Sequence, residues 1–150
     1  LHLLSRRQRQ MCIRDSDIAG IRVVCNFIDD VYTVADMLLG QNDIHLIEKK
    51  DYIKNPKDSG YRSLHLVISV PVFLLDGGEE VPVEIQLRTV AMDFWASLEH
   101  QLRYKNEKYH APIVDLELKA CAEINSTLDV RMQELFDELN KQELSFNEKE

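Results

Sequence analysis

The sequence predicts an α+β domain, a mixed β-sheet flanked by helices with a long helix at the C-terminal end. Residues 64–74 and 81–87 alternate apolar and polar on either side of Gly77 and Gly78, the pattern of a hairpin with a glycine turn. Residues 28–39, 89–105 and 113–139 instead repeat apolar side chains at steps of three and four, the period of helices that bury one face. The run DIAGIRVVC over 17–25 is almost continuously apolar, which predicts a central strand buried on both faces.

The elements follow in order. After the first strand, Ile28, Val31, Tyr32, Ala35 and Leu39 mark the inner face of a helix that opens on Asp29 and Asp30 and stops at Gly40. Residues 44–50 read as a short strand, followed by the turn-rich loop DYIKNPKDSGYRS. In the hairpin, Leu64, Leu66, Ile68, Val70 and Val72 share one face, as do Val81, Val83, Ile85 and Leu87 on the return. His65 and the row Glu84, Gln86, Arg88 fall on the opposite, polar faces. Thr89 is placed to cap a helix to about Lys105, with Ala91, Phe94, Trp95, Leu98 and Leu102 inside. Beyond Pro112, Leu118, Cys121, Ile124, Leu128, Met132, Leu135 and Leu139 form a narrow seam along the last helix, longer than the small sheet can cover. Part of that seam is therefore expected to face another subunit.

Composition limits the function. A chain of 150 residues with net charge −8 and 45% hydrophobic residues is one ordinary domain that needs no metal or disulfide staple. No apolar run approaches the ~20 residues that span a bilayer. Cys12, Cys25 and Cys121 lie far apart without zinc-ligand spacing, which fits reduced thiols in a cytoplasmic protein. The acidic balance makes nucleic acid an unlikely partner, yet leaves room for a local basic pocket. Residues 1–16 break this pattern, with Arg6, Arg7, Arg9 and Arg14 against the single acid Asp15. The string MCIRDS reads as the translation of a sequencing adapter, so the native chain is expected to begin at Asp17 and to be truncated upstream. The expected division is thus a non-native segment at 1–16, a catalytic core at 17–110 and a helical, oligomerising region at 111–150.

Two segments offer chemistry. The loop KNPKDSGYRSLH gathers Lys54, Lys57 and Arg62 around Gly60, with Tyr61 and His65 close by. Such cations suit phosphates and such a ring suits a base, although a solvated hairpin loop has the same composition. Asp17 and Glu84 are carboxylates on β-forming segments, able to share a magnesium ion with substrate phosphates. Equally, Glu84 could lie on a solvated face paired with Arg88 or a lysine.

Four ordered motifs, DIAGIR from Asp17, DYIKNPKDSGYRSLH from Asp51, VEIQLRT from Val83 and LEHQLRYK from Leu98, together resemble the synthetase domain of the RelA/SpoT family. The pattern is most similar to the stand-alone small alarmone synthetases, with Ser59 and Arg62 following their usage. The resemblance implies a nucleotidyltransferase-like synthetase domain. Its activity would be transfer of pyrophosphate from ATP to the 3′-hydroxyl of GTP or GDP. It further implies that Asp17 and Glu84 are catalytic and hold Mg²⁺, with Glu84 as proton acceptor, and that Tyr61 stacks on guanine. Lys57, Arg22 and His65 would meet phosphates, Gln86 would support Glu84, and the last helix would assemble a homotetramer. Asp17 and Arg22 point to opposite faces of a regular strand, so one pocket takes both only if Gly20 relaxes it. The family's basic ATP-binding segment precedes the Asp17 strand, so the chain as written is expected to lack synthetase activity. The His-Asp motif of the family's hydrolase domain does not occur, so no alarmone hydrolysis is expected. A catalytically inactive guanine-nucleotide sensor is the alternative.

Overall fold

A computed structural model describes residues 19–75, 77–107, 109 and 111–147. Asp17 and the segment 1–16 lie outside the described residues. In chain order the elements are β1 (Ala19–Cys25), α1 (Ile28–Leu39), β2 (His45–Asp51), β3 (Leu64–Leu74), β4 (Gly77–Thr89), α2 (Val90–Asn106) and α3 (Pro112–Asn147). The four strands form one sheet in the order β1-β4-β3-β2, with β1 parallel to β4 and the other pairs antiparallel. No helix among the described residues is long and apolar enough to cross a membrane.

The hairpin register follows from alternation. Leu64 opposes Leu87 and Leu66 opposes Ile85, so all four point to one face, where they bury against Val31 and Ala35 of α1. At the entry to α1 the Phe27 amide donates to Asp30 Oδ2 at 3.2 Å. Asp29 and Asp30 sit in the first turn, where carboxylates oppose the helix dipole.

The expectation for residues 17–25 needs correction. Among the described residues β1 is an edge strand paired only with β4; Ile21 is 51% and Val24 48% exposed, and only Cys25 is buried. A continuous apolar run signals a strand in a parallel pair, but not whether that pair lies inside the sheet or at its margin.

The last helix runs over Pro112–Asn147. A polar stripe faces its own domain: Asp129 Oδ2 accepts from the Thr89 hydroxyl, Asn125 Nδ2 donates to the Ala91 carbonyl at 3.2 Å, and Gln133 Oε1 accepts the Asp29 amide at 3.0 Å. Leu118 and Ala122 are buried against Trp95, whose indole N–H donates to the Leu118 carbonyl at 2.8 Å. Of the predicted seam, only Leu118 joins this contact. Ile124, Leu128, Met132, Leu135 and Leu139 are 46–67% exposed, roughly a quarter turn round the helix from the inner stripe. The end of β4 offers the Thr89 hydroxyl, α2 the Ala91 carbonyl and α1 the Asp29 amide, and the helix meets them with a carboxylate and two side-chain amides.

Burial raises the pKa of Asp129 above the ordinary 3.8, against the opposing effects of the Thr89 hydrogen bond and the Arg62 charge. A raised folded-state pKa contributes stability that is present below 3.8 and is lost as pH rises through the folded value. The Asp129→Asn variant keeps an oxygen for Thr89 and carries no such loss. Its unfolding free energy relative to wild type is expected to improve between pH 3 and pH 7, measured by urea titration at each pH.

Candidate active site

The face of the sheet opposite α1 carries the polar row. Arg22 opposes Gln86 across β1 and β4, His65 opposes Gln86 across β3 and β4, and Val67 opposes Glu84. Period-two alternation thus puts Arg22, His65, Glu84, Gln86 and Arg88 on one side. Glu84 Oε1 lies 2.9 Å from His65 Nδ1.

The loop after β2 is brought to this face by fixed contacts. Asp51 Oδ1 accepts the Ile53 and Lys54 amides, each at 3.0 Å, and Asp51 takes the Tyr32 hydroxyl at 3.1 Å. Burial and that hydrogen bond to Asp51 push the Tyr32 phenol well up. The Lys57 and Tyr61 backbones pair, and Gly60 turns at φ +91°, with its amide donating to the Lys57 carbonyl at 2.8 Å. Gly60 also lies so close to α3 that a Cβ there would sit 2.6 Å from that of Ala122. Arg62 donates to the Gly60 and Ala122 carbonyls and meets Glu123 at 3.4 Å.

Of the three loop cations, only Lys57 reaches the cleft. Arg62 is committed to α3, while Lys54 stands 5.1 Å from the Tyr32 ring centre. Lys57 Nζ lies 4.7 Å from the Tyr52 ring centre and 5.1 Å from that of Tyr61. Lys57, Tyr52, His65, Glu84, Val67, Glu48 and Lys50 line a cleft of about 240 Å³. Tyr61 backs the cleft, edge-on to both Tyr52 and His65, with its hydroxyl 2.8 Å from His65 Nε2. Burial holds the His65 pKa below its ordinary value; Glu84 opposes this, while Lys57 and Arg88 add to it.

The structure therefore brings Lys57, Tyr61, His65 and Glu84 together around one cleft. Gln86 lies beside them, but its Oε1 accepts from Arg88 Nη2 at 2.9 Å, and the partner of Glu84 is His65. Arg22 stands farther off on β1, its side chain 52% exposed and 3.4 Å from Asp93. Asp17 falls outside the described residues. Two residues that were not among the expected site residues complete the cluster. Arg88 Nη1 donates to Asp93 Oδ1 at 3.0 Å and Nη2 to the Tyr61 hydroxyl at 2.7 Å. Strand parity signalled Arg88, which shares a face with Glu84; nothing in the spacing signalled Asp93, which arrives from the first turn of α2.

This constellation can hold an aromatic base and its phosphates beside a carboxylate. The model of the region found in RelA/SpoT proteins matches residues 4–109, a span that starts inside the segment read as an adapter translation. This chain belongs to the RelA/SpoT family. It is 51% identical over 117 residues to the GTP pyrophosphokinase YwaC of Bacillus subtilis, covering 77% of this chain and 55% of that protein. With the GTP pyrophosphokinase YjbM of the same organism it shares 42% identity over 133 residues, 89% of this chain and 63% of the relative. The chain thus spans a little over half of the curated relatives it matches. The crystal structure of small alarmone synthetase 1 from Bacillus subtilis, bound to its product pppGpp, superposes with TM-score 0.74. That match has 36% identity and covers 93% of this chain and 77% of that one. Two of the RelA/SpoT motifs of this chain meet at the cleft: the loop motif lines it with Tyr52, Lys57 and His65 and the VEIQLRT motif with Glu84, while Tyr61, Gln86 and Arg88 are hydrogen-bonded behind that wall.

Placing a methyl group at Gly60 tests how firmly the loop is pressed on α3. Gly60→Ala meets both the positive φ and the Ala122 Cβ, so it is expected to cost about 1–3 kcal/mol of stability in chemical denaturation. Adding Ala122→Gly should recover only part, since it removes the overlap and leaves the backbone strain.

Proposed function

We propose that this chain is the catalytic core of an alarmone synthetase, which transfers pyrophosphate from ATP to the 3′-hydroxyl of GTP or GDP. The observation that carries the reading is the Glu84–His65–Tyr61 cluster on the wall of a cleft shared with Lys57, in a chain of the RelA/SpoT family. In the reaction the 3′-oxygen bonds to the β-phosphorus of ATP, the bridge from the α-phosphate breaks, and AMP leaves. Glu84 takes the hydroxyl proton on the oxygen that His65 leaves available. His65 holds the other oxygen, so the carboxylate keeps its orientation. Since the chemistry asks little covalent help, positioning and charge carry most of the rate.

Tyr61 is the platform for guanine. Lys57 covers that ring in the absence of nucleotide, so a base entering the stack would displace a cation–π contact and release the ammonium toward the phosphates. Arg22, at the exposed edge of the same face, is placed to meet phosphates of either nucleotide. Gln86 acts through Arg88 and not on Glu84 directly.

Glu84 fits a magnesium ion: its side chain is one-third exposed on the cleft wall, and Mg²⁺ takes only one or two protein carboxylates when phosphates and water complete the octahedron. Glu84 with Asp17 would hold the ion, which when bound offsets charge on the transferring phosphoryl oxygens.

The exposed seam of α3 supports assembly. Leu128, Met132, Leu135 and Leu139 leave an apolar stripe that a second copy would cover, in line with a homotetramer. Light scattering at ~100 μM, far above the micromolar range of weak specific contacts, should read a multiple of the chain mass. A monodisperse monomer would defeat the assembly.

The function is tested with γ-labelled ATP and GDP, using the chain itself and a chimaera carrying a relative's ATP-binding segment ahead of Asp17. A product with two phosphates on the 3′-oxygen, formed together with AMP, is expected. Transfer of a nucleoside monophosphate would mean a different transferase, and GDP binding without turnover in the chimaera would mean a sensor. In the active form Glu84→Gln should lower turnover by ~10²–10⁴-fold while GTP still binds. Unchanged turnover would return Glu84 to the role of a solvated face residue.

A further inference from the structure

Arg88 is 5% exposed, yet it belongs to none of the roles assigned above. Its guanidinium stands 5.3 Å from the Tyr61 ring centre and donates to the Tyr61 hydroxyl, to Gln86 Oε1 and to Asp93. Its Nε is buried with no hydrogen-bond partner among the described residues. A buried cation with an unpaired donor adds little stability, because desolvation offsets the ion pair. Asp93 in turn remains partly solvated and has Arg22 as a second cation. Stability therefore gives no account of an arginine at this position, whereas geometry does.

An arginine only donates hydrogen bonds. The Tyr61 oxygen, 2.7 Å from Nη2, is thus an acceptor, and the phenol's own hydrogen turns to its other partner among the described residues, His65 Nε2, at 2.8 Å. Nε2 then accepts, so the imidazole hydrogen sits on Nδ1 and is donated to Glu84 Oε1 at 2.9 Å. We propose that Arg88 is a positioning residue for the acceptor nucleotide, fixing the Tyr61 ring and ordering the hydrogen bonds that run from Tyr61 through His65 to Glu84. The part that concerns the nucleotide rests on the acceptor-site reading above; the proton order does not.

The test uses the full chain and two variants. Arg88→Met keeps the length and removes every donor, and Arg88→Lys keeps the charge but loses the fork whose Nη1 meets Asp93 while Nη2 meets Tyr61 and Gln86. With ¹⁵N-labelled histidine, and His65→Gln to assign the signal, wild type is expected to show a neutral His65 protonated on Nδ1. Both variants should shift the His65 Nε2 resonance, because the phenol hydrogen is no longer directed at it while Glu84 still holds the Nδ1 hydrogen, and GDP affinity measured calorimetrically should fall roughly tenfold, within the range of a base–aromatic stack. If Arg88→Met fails the circular-dichroism check for folding, Arg88→Lys decides alone. Variants that fold and keep both the wild-type histidine signal and the wild-type GDP affinity would overturn the proposal, as would a wild-type His65 protonated on Nε2. A wild type that binds no guanine nucleotide while its histidine signal responds as stated would instead sink the acceptor-site reading and leave the proton order standing.

Discussion

The register between β3 and β4 is the constraint on which the rest of the molecule depends. With Leu64 opposite Leu87 and His65 opposite Gln86, one face of the hairpin closes over α1 and the other presents His65 and Glu84 within hydrogen-bond distance. A slip by one residue would turn His65 and Glu84 into the core and Leu66 and Ile85 to water. The apolar face therefore fixes the polar one: burial of leucine and isoleucine holds the pairing, and the cleft inherits its geometry from that pairing.

The second dependence is on α3. Its inner stripe joins apolar contacts, Leu118 and Ala122 against Trp95 and Phe136 stacked on Phe27, to polar ones at the ends of other elements: Asp129 at the Thr89 cap, Asn125 at Ala91 and Gln133 at the start of α1, with Ala122 under Gly60. Through Gly60 and Arg62 the helix seats the loop that carries Lys57 and Tyr61. The same helix turns its apolar seam outward.

Charges in the cleft are arranged against one another. Lys57 lies over two aromatic rings, Arg88 lies beside one of them, and both disfavour a charged His65 while Glu84 favours it. A neutral imidazole between a phenol and a carboxylate holds the carboxylate without cancelling its charge, which suits a group that has to accept a proton or bind a cation.

Much of this was legible in the chain itself. Alternation over 64–74 and 81–87 determined the hairpin, its core face and the polar row, because a strand's side chains have no freedom but to alternate. Thr89 was readable as a helix cap and Gly40 as a stop, and four motifs in order were enough to indicate the family. Tertiary structure alone decided the rest. The apolar run before Cys25 could not reveal that β1 lies at the sheet's edge, since strand order is set by long-range pairing. The seam of α3 was expected in part to face another subunit, but no local pattern indicated that Asn125, Asp129 and Gln133 would meet the Ala91 carbonyl, the Thr89 hydroxyl and the Asp29 amide. Lys54, Lys57 and Arg62 were equivalent in sequence, and only the packing of the loop sent one to Tyr32, one to α3 and one to the cleft. Arg88 and Asp93 sit five residues apart, at the end of a strand and in the first turn of a helix. Their meeting under Tyr61 depends on how the chain turns at Thr89, a geometry that no local pattern specifies.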